Sequence, residues 1–156
     1  MSNPFETPQA FLDHLIGFGE SVLKDTGSVM PMIDAVTALG EHLLISLVGL
    51  ESGEDKDRAL ASVKLLFESK GVTQYGTILE SWYVEVGPNE DTYTPPSKRS
   101  NRREALVAGV FDCTGTLAFT MRNIVRDEEG KPSLGPETTM MKAATFGGRF
   151  AELLVD

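Results

Sequence analysis

Apolar residues at three- and four-residue spacing run from Phe11 through Leu12, Leu15, Ile16, Phe18 and Val22 to Leu23, the signature of a helix that buries one face. Thr7-Pro8 supplies an N-cap and a proline at the first helical position, where a backbone N–H is not needed. Lys24-Asp25-Thr26-Gly27 supplies a basic last turn and a glycine stop, so the spacing predicts a helix over Pro8–Lys24. Gly17 and Gly19 each lower helix propensity by about 1 kcal/mol relative to Ala. Either they permit close packing or the helix is loose there.

Val29–Ala38 and His42–Leu50 are β-prone runs around Leu39-Gly40-Glu41, a pattern that predicts two antiparallel strands joined by a short turn. Leu43 to Val48 is apolar on both faces, which predicts a central strand covered above and below. Ser52, with Glu54 and Asp55 behind it, opens a second helix whose apolar stripe is Ala59, Leu60, Val63, Leu66 and Phe67; Gly71 closes it. Gln74–Val86 is rich in β-branched and aromatic residues and reads as a long strand. The segment 87–102, with three prolines and no apolar period, is a connection longer than most loops in compact domains. Arg103–Asp112 and Thr116–Asp127 form a hairpin around Cys113-Thr114-Gly115, Glu129 to Pro132 a turn, and Phe146, Phe150, Leu153 and Leu154 a terminal helix. The expected fold is a single α+β domain over residues 1–156, a mostly antiparallel sheet of about five strands with two covering helices and a short C-terminal helix.

Composition narrows the classes of function. At 156 residues, with 41% apolar and 24% charged residues, the chain suits one compact core and not a disordered segment or a rod. Fourteen Lys and Arg against 23 Asp and Glu give a net charge of −9, which repels phosphate backbones and makes nucleic acid an unfavourable partner. The longest apolar stretch, Leu43 to Leu50, is interrupted by Ser46 and Gly49 and falls far short of the roughly 20 residues that span a bilayer, so no membrane helix is expected. No basic residue precedes an apolar run near Met1, and a cytoplasmic location is the resulting expectation. Cys113 has no cysteine partner, and with only His14 and His42 beside it a Cys/His zinc site lacks ligands. No cofactor or metal is expected.

Strand alternation supplies the sharpest chemical clue. On the strand 74–86, Ile78, Glu80, Trp82, Val84 and Val86 share a face, so Glu80 falls among apolar neighbours. In the hairpin, placing Leu106, Ala108 and Val110 opposite Asn123, Met121 and Phe119 makes one apolar face, with Glu104 opposite Val125. Glu80, Trp82, Glu104 and Asn123 then line a candidate pocket in which a desolvated carboxylate would serve as acid or base. The competing reading, that Glu80 forms a buried ion pair with an arginine or lies on the other face and meets solvent, outweighs it because structural ion pairs also perturb carboxylates and no motif spacing tests the functional one.

Lys98, Arg99, Arg102 and Arg103 concentrate four cations in a chain that is otherwise acidic, a candidate site for an anion or an acidic partner. A solvated loop pairing with the protein's own acids is the simpler account, since stacking aromatics beyond Tyr93 are missing. In the expected register Arg103 faces Arg126, like charges that need an anion or acids between them. Glu51, Glu54, Asp55 and Asp57 fit the start of a helix better than a cation loop. Cys113 shows no adjacent base, Phe146-Gly147-Gly148-Arg149 lacks the spacing of a phosphate loop, and His14 and His42 are expected as surface or boundary residues.

Glu80-Ser81-Trp82, followed by Pro96-Ser97, Arg99 or Arg102, and Arg103-Glu104-Ala105-Leu106, resembles a pattern in small bacterial proteins of uncharacterised function. The likeness covers about the middle third and implies that Glu80, Trp82 and Glu104 belong together; it transfers no activity. The leading functional expectation is a non-catalytic binding or assembly module of a bacterium or phage, with a protein or a second copy as partner. The alternative is a small enzyme or small-molecule-binding protein with a carboxylate-lined pocket.

Overall fold

The computed structural model describes residues 5–47, 52–83 and 103–137, together with Leu154. In chain order the elements are α1 (Pro8–Thr26), β1 (Met32–Thr37), β2 (His42–Ser46), α2 (Gly53–Lys70), β3 (Val72–Tyr83), β4 (Arg103–Asp112), β5 (Gly115–Arg126) and β6 (Pro132–Glu137). All six strands join one sheet in the order β2-β1-β3-β4-β5-β6, with every neighbouring pair antiparallel. The α+β class and the antiparallel sheet agree with the sequence; among the described residues the sheet has six strands where about five were expected. The sixth strand was hidden by Pro132, Gly135 and Pro136, which depress β propensity and are tolerated because β6 lies at an edge. The expected C-terminal helix and the 87–102 connection lie outside the described residues. No helix among the described residues is long and apolar enough to cross a membrane.

Both helices begin and end as their sequences dictate. The Thr7 hydroxyl accepts from the Ala10 amide and the Ser52 hydroxyl from the Asp55 amide, each at 3.0 Å. Gly27 and Gly71 close the two helices at φ +81° and +67°, a conformation that disfavours any side chain.

The sheet carries a core on each face. Phe11, Leu12, Leu15 and Leu23 of α1 pack on Met32, Ile78, Leu106, Ala108, Val110 and Ile124. On the opposite face Leu60, Val63 and Phe67 of α2 meet Ile33, Ala35, Val72, Tyr75 and Phe111, and Leu154 joins this cluster. Tyr75 stacks on Phe111 with ring centroids 5.1 Å apart, and Phe67 tilts against Tyr75 at 5.2 Å. Further along that face, Ala105, Val107 and Met121 form a smaller buried cluster with Leu79 and Phe119.

β2 departs from its expected place. It occupies the edge of the sheet, not the centre, and its residues alternate between exposed and half-buried, with Leu44 59% exposed. A short apolar run reads the same whether its second neighbour is another strand or open space, so its content does not reveal its rank in the sheet.

The two helix glycines have different roles. A Cβ at Gly19 would overlap Ile78 Cδ1 and come within 3.0 Å of Leu106 Cδ2, so a side chain there would have to displace the buried Ile78. Gly17 faces open space. Gly17→Ala is therefore expected to stabilise the protein by about 0.5–1 kcal/mol through helix propensity. Gly19→Ala should cost about 1–3 kcal/mol by overpacking. Urea unfolding of both variants checks this pair of opposite signs.

Candidate functional site

The carboxylates singled out in the sequence come to one face of the sheet. Glu80 pairs with Leu106 and Trp82 with Glu104 across β3 and β4, which puts Glu80 and Glu104 on the face covered by α1. Both are taken up by internal donors. The Val29 amide donates to Glu80 Oε1 at 2.5 Å. Arg126 Nε donates to Glu104 Oε2 at 2.8 Å, while its Nη2 donates to the Gly27 carbonyl at 3.2 Å and its Nη1 to the Gly130 carbonyl at 3.4 Å. Glu80, Glu104 and Arg126 thus tie the α1–β1 connection, residues 27–29, to strands β3, β4 and β5.

Asn123 does not join them. The hairpin pairs Leu106 with Arg122 and Ala105 with Asn123, one residue out of the register expected from the turn, so Asn123 lies on the opposite face. The physical cause is local. The Asp112 carboxylate accepts from the Thr114 amide at 2.7 Å and from its hydroxyl at 2.5 Å, which closes a two-residue turn before Gly115 at φ +122°. An irregularity between Val110 and Phe111 then leaves Leu117 as an extra residue on β5. A one-residue slip exchanges the faces of a whole strand. It also removes the expected opposition of Arg103 and Arg126, because Arg126 now shares a face with Glu104 while Arg103 lies on the other. Lys98, Arg99 and Arg102 lie outside the described residues.

A second constellation was not anticipated. His14 on α1 and His42 on β2, the two histidines of the chain, converge on Asp34 of β1. His42 Nδ1 is 3.2 Å from Asp34 Oδ1, and His14 Nε2 is 3.6 Å from Oδ2. The Asp34 side chain is 12% exposed, so the histidines screen it from most of the solvent. Phe5 lies against both imidazoles, with ring centroids 4.0 Å from His42 and 5.3 Å from His14.

This trio stands at one side of a cleft of about 240 Å³ between α1 and the β2 end of the sheet, whose walls are otherwise Leu15, Phe18, Met32, Leu44 and Ile78. A proton on His42 Nδ1 satisfies the Asp34 contact and leaves Nε2 as an acceptor. The lining contains no Ser, Thr, Cys or Lys that such a dyad would activate. Among the described residues no group of three His, Cys, Asp or Glu is placed to hold a metal ion. The arrangement suits binding: an apolar slot with one carboxylate and two imidazoles at its side.

The signal for this site was present in outline. Asp34 interrupts the apolar run Met32–Thr37, and the Leu39-Gly40 turn sets Val36 opposite His42 and Asp34 opposite Leu44, so Asp34 and His42 are diagonal neighbours on one face. The approach of His14 depends on where α1 lies on the sheet, which periodicity does not specify.

The side chains of Arg126 and Glu104 are 33% and 25% exposed, between the surface and buried regimes. Arg126→Leu removes three contacts and should lower stability by about 1–2 kcal/mol. A double-mutant cycle with Glu104→Gln should return about 0.5–1 kcal/mol of coupling. Coupling near zero in urea unfolding would show that the pair does not hold the α1–β1 connection.

No protein-family model, curated protein or solved structure matches the chain.

Proposed function

We propose that the chain is a protein-binding or assembly module that captures an extended segment along the outer edge of β2. The observation that carries this reading is the contrast between the two edges of the sheet. At the β6 edge, Pro132 and Pro136 lack N–H donors, the register shifts between Arg122 and Ile124, and the Arg122 guanidinium occupies the Gly135 carbonyl at 2.8 Å. These are the devices that keep foreign strands away.

Among the described residues the β2 edge has none of them. The Leu47 amide donates to the Pro31 carbonyl and the Thr37 amide to the Glu41 carbonyl, each at 2.9 Å. Because hydrogen-bonded and non-bonded pairs alternate in an antiparallel ladder, residues 43 and 45 also bond inward to β1. His42, Leu44 and Ser46 therefore present their N–H and C=O groups outward, and no strand among the described residues pairs with them. Their side chains share the face of the apolar cleft, so backbone pairing supplies affinity and the cleft selects a side chain. At about 240 Å³ the cleft is below the roughly 300–1,000 Å³ of sites that enclose a small molecule. One apolar side chain of a bound segment suits it better.

Leu44→Lys tests the reading. Leu44 is exposed, so the substitution should change stability by no more than about 0.5 kcal/mol. A lysine on an edge strand blocks strand addition. The variant is expected to lose self-association or peptide binding that the unaltered chain shows in sedimentation and fluorescence anisotropy. Unchanged association in both measurements would remove β2 as the binding edge.

A further inference from the structure

The captured segment has a chemistry that the charge distribution selects, an inference that rests on the β2-edge reading above. Residues 5–47 hold six of the 23 acidic residues and one of the 14 basic ones, so they carry −5 of the net −9. These residues supply α1, β1 and β2, the elements that border the edge and the cleft. Lys24, the one basic residue among them, stands in the last turn of α1 and approaches Glu20 at 3.9 Å. Glu6 and Glu41 are exposed, and Asp34 lines the cleft. The strand itself, His42 to Ser46, has no acid and no lysine, and its central side chain is the exposed Leu44.

We infer that the segment bound at β2 is a basic one, in which apolar residues alternate with Lys or Arg. Its apolar side chains would share the sheet face of Leu44 and the cleft, and its cations would face the acids around the edge. A second copy of the chain fits less well, because pairing two β2 edges brings two surfaces of like charge together. Attraction from several acids raises the association rate and is screened by salt.

Two labelled synthetic peptides discriminate, one alternating valine with lysine and one alternating valine with glutamate, each titrated into the full chain by fluorescence anisotropy. A third peptide, the valine–lysine sequence with alternate backbone amides methylated, keeps the charge and loses the donors that pair with β2. The expected result is at least about tenfold tighter binding of the lysine peptide than of the glutamate peptide, a preference that shrinks on raising salt. Methylation should abolish binding, and amide resonances of His42, Leu44 and Ser46 should shift on titration.

Equal binding of the lysine and glutamate peptides, both lost in Leu44→Lys, overturns the basic preference and leaves the edge reading standing. Equal binding of the methylated and unmethylated lysine peptides reduces the effect to non-specific charge attraction and overturns the inference. A stable dimer that Leu44→Lys dissociates makes the occupant a second copy, which also overturns it. Absence of both peptide binding and self-association overturns the inference and the edge reading together.

Discussion

The close seating of α1 on the sheet is the constraint from which the rest of this structure follows. Two glycines make it possible from opposite sides. Gly19 lets the helix backbone settle onto Ile78 and Leu106, and Gly76 of β3 lies under Phe11 and Leu15, where a Cβ would come within 2.7 Å of the Phe11 ring. With the helix held at that height, Phe11, Leu15 and Leu23 are buried almost completely. Each such side chain contributes on the order of 1.5–3 kcal/mol through removal from water. The same seating brings His14 to Asp34 and sets the depth of the cleft beside Leu44.

Polar groups then tie down what the apolar contacts leave loose. The chain leaving α1 must turn back into β1 over residues 27–31, and its backbone groups need partners when they lie against the sheet. Glu80 takes the Val29 amide and Arg126 the Gly27 carbonyl, with Glu104 holding Arg126 in place. Carboxylates among apolar strand residues suggest chemistry when met in a sequence. Here they satisfy a connection: Glu80 is held by a backbone amide, and the arginine pair belongs to Glu104.

The two edges of the sheet differ in their protection. An exposed sheet edge risks joining its neighbours, and β6 carries prolines, a register break and an arginine against that risk. β2 carries no such device and displays an exposed leucine beside an apolar cleft.

Features set by residues near one another in the chain were legible in the sequence: the caps at Thr7 and Ser52, the glycine stops at Gly27 and Gly71, the apolar stripes of both helices, and the alternation that placed Glu80 and Glu104 on one face. Each depends on periodicity or on a hydrogen bond spanning a few residues, and such interactions are written locally. Tertiary structure alone decided the rank of β2 in the sheet and the meeting of His14, Asp34 and His42. Strand order and the seat of a helix are chosen by packing among segments distant in sequence. Their energies belong to pairs of surfaces, and no single stretch of residues contains them.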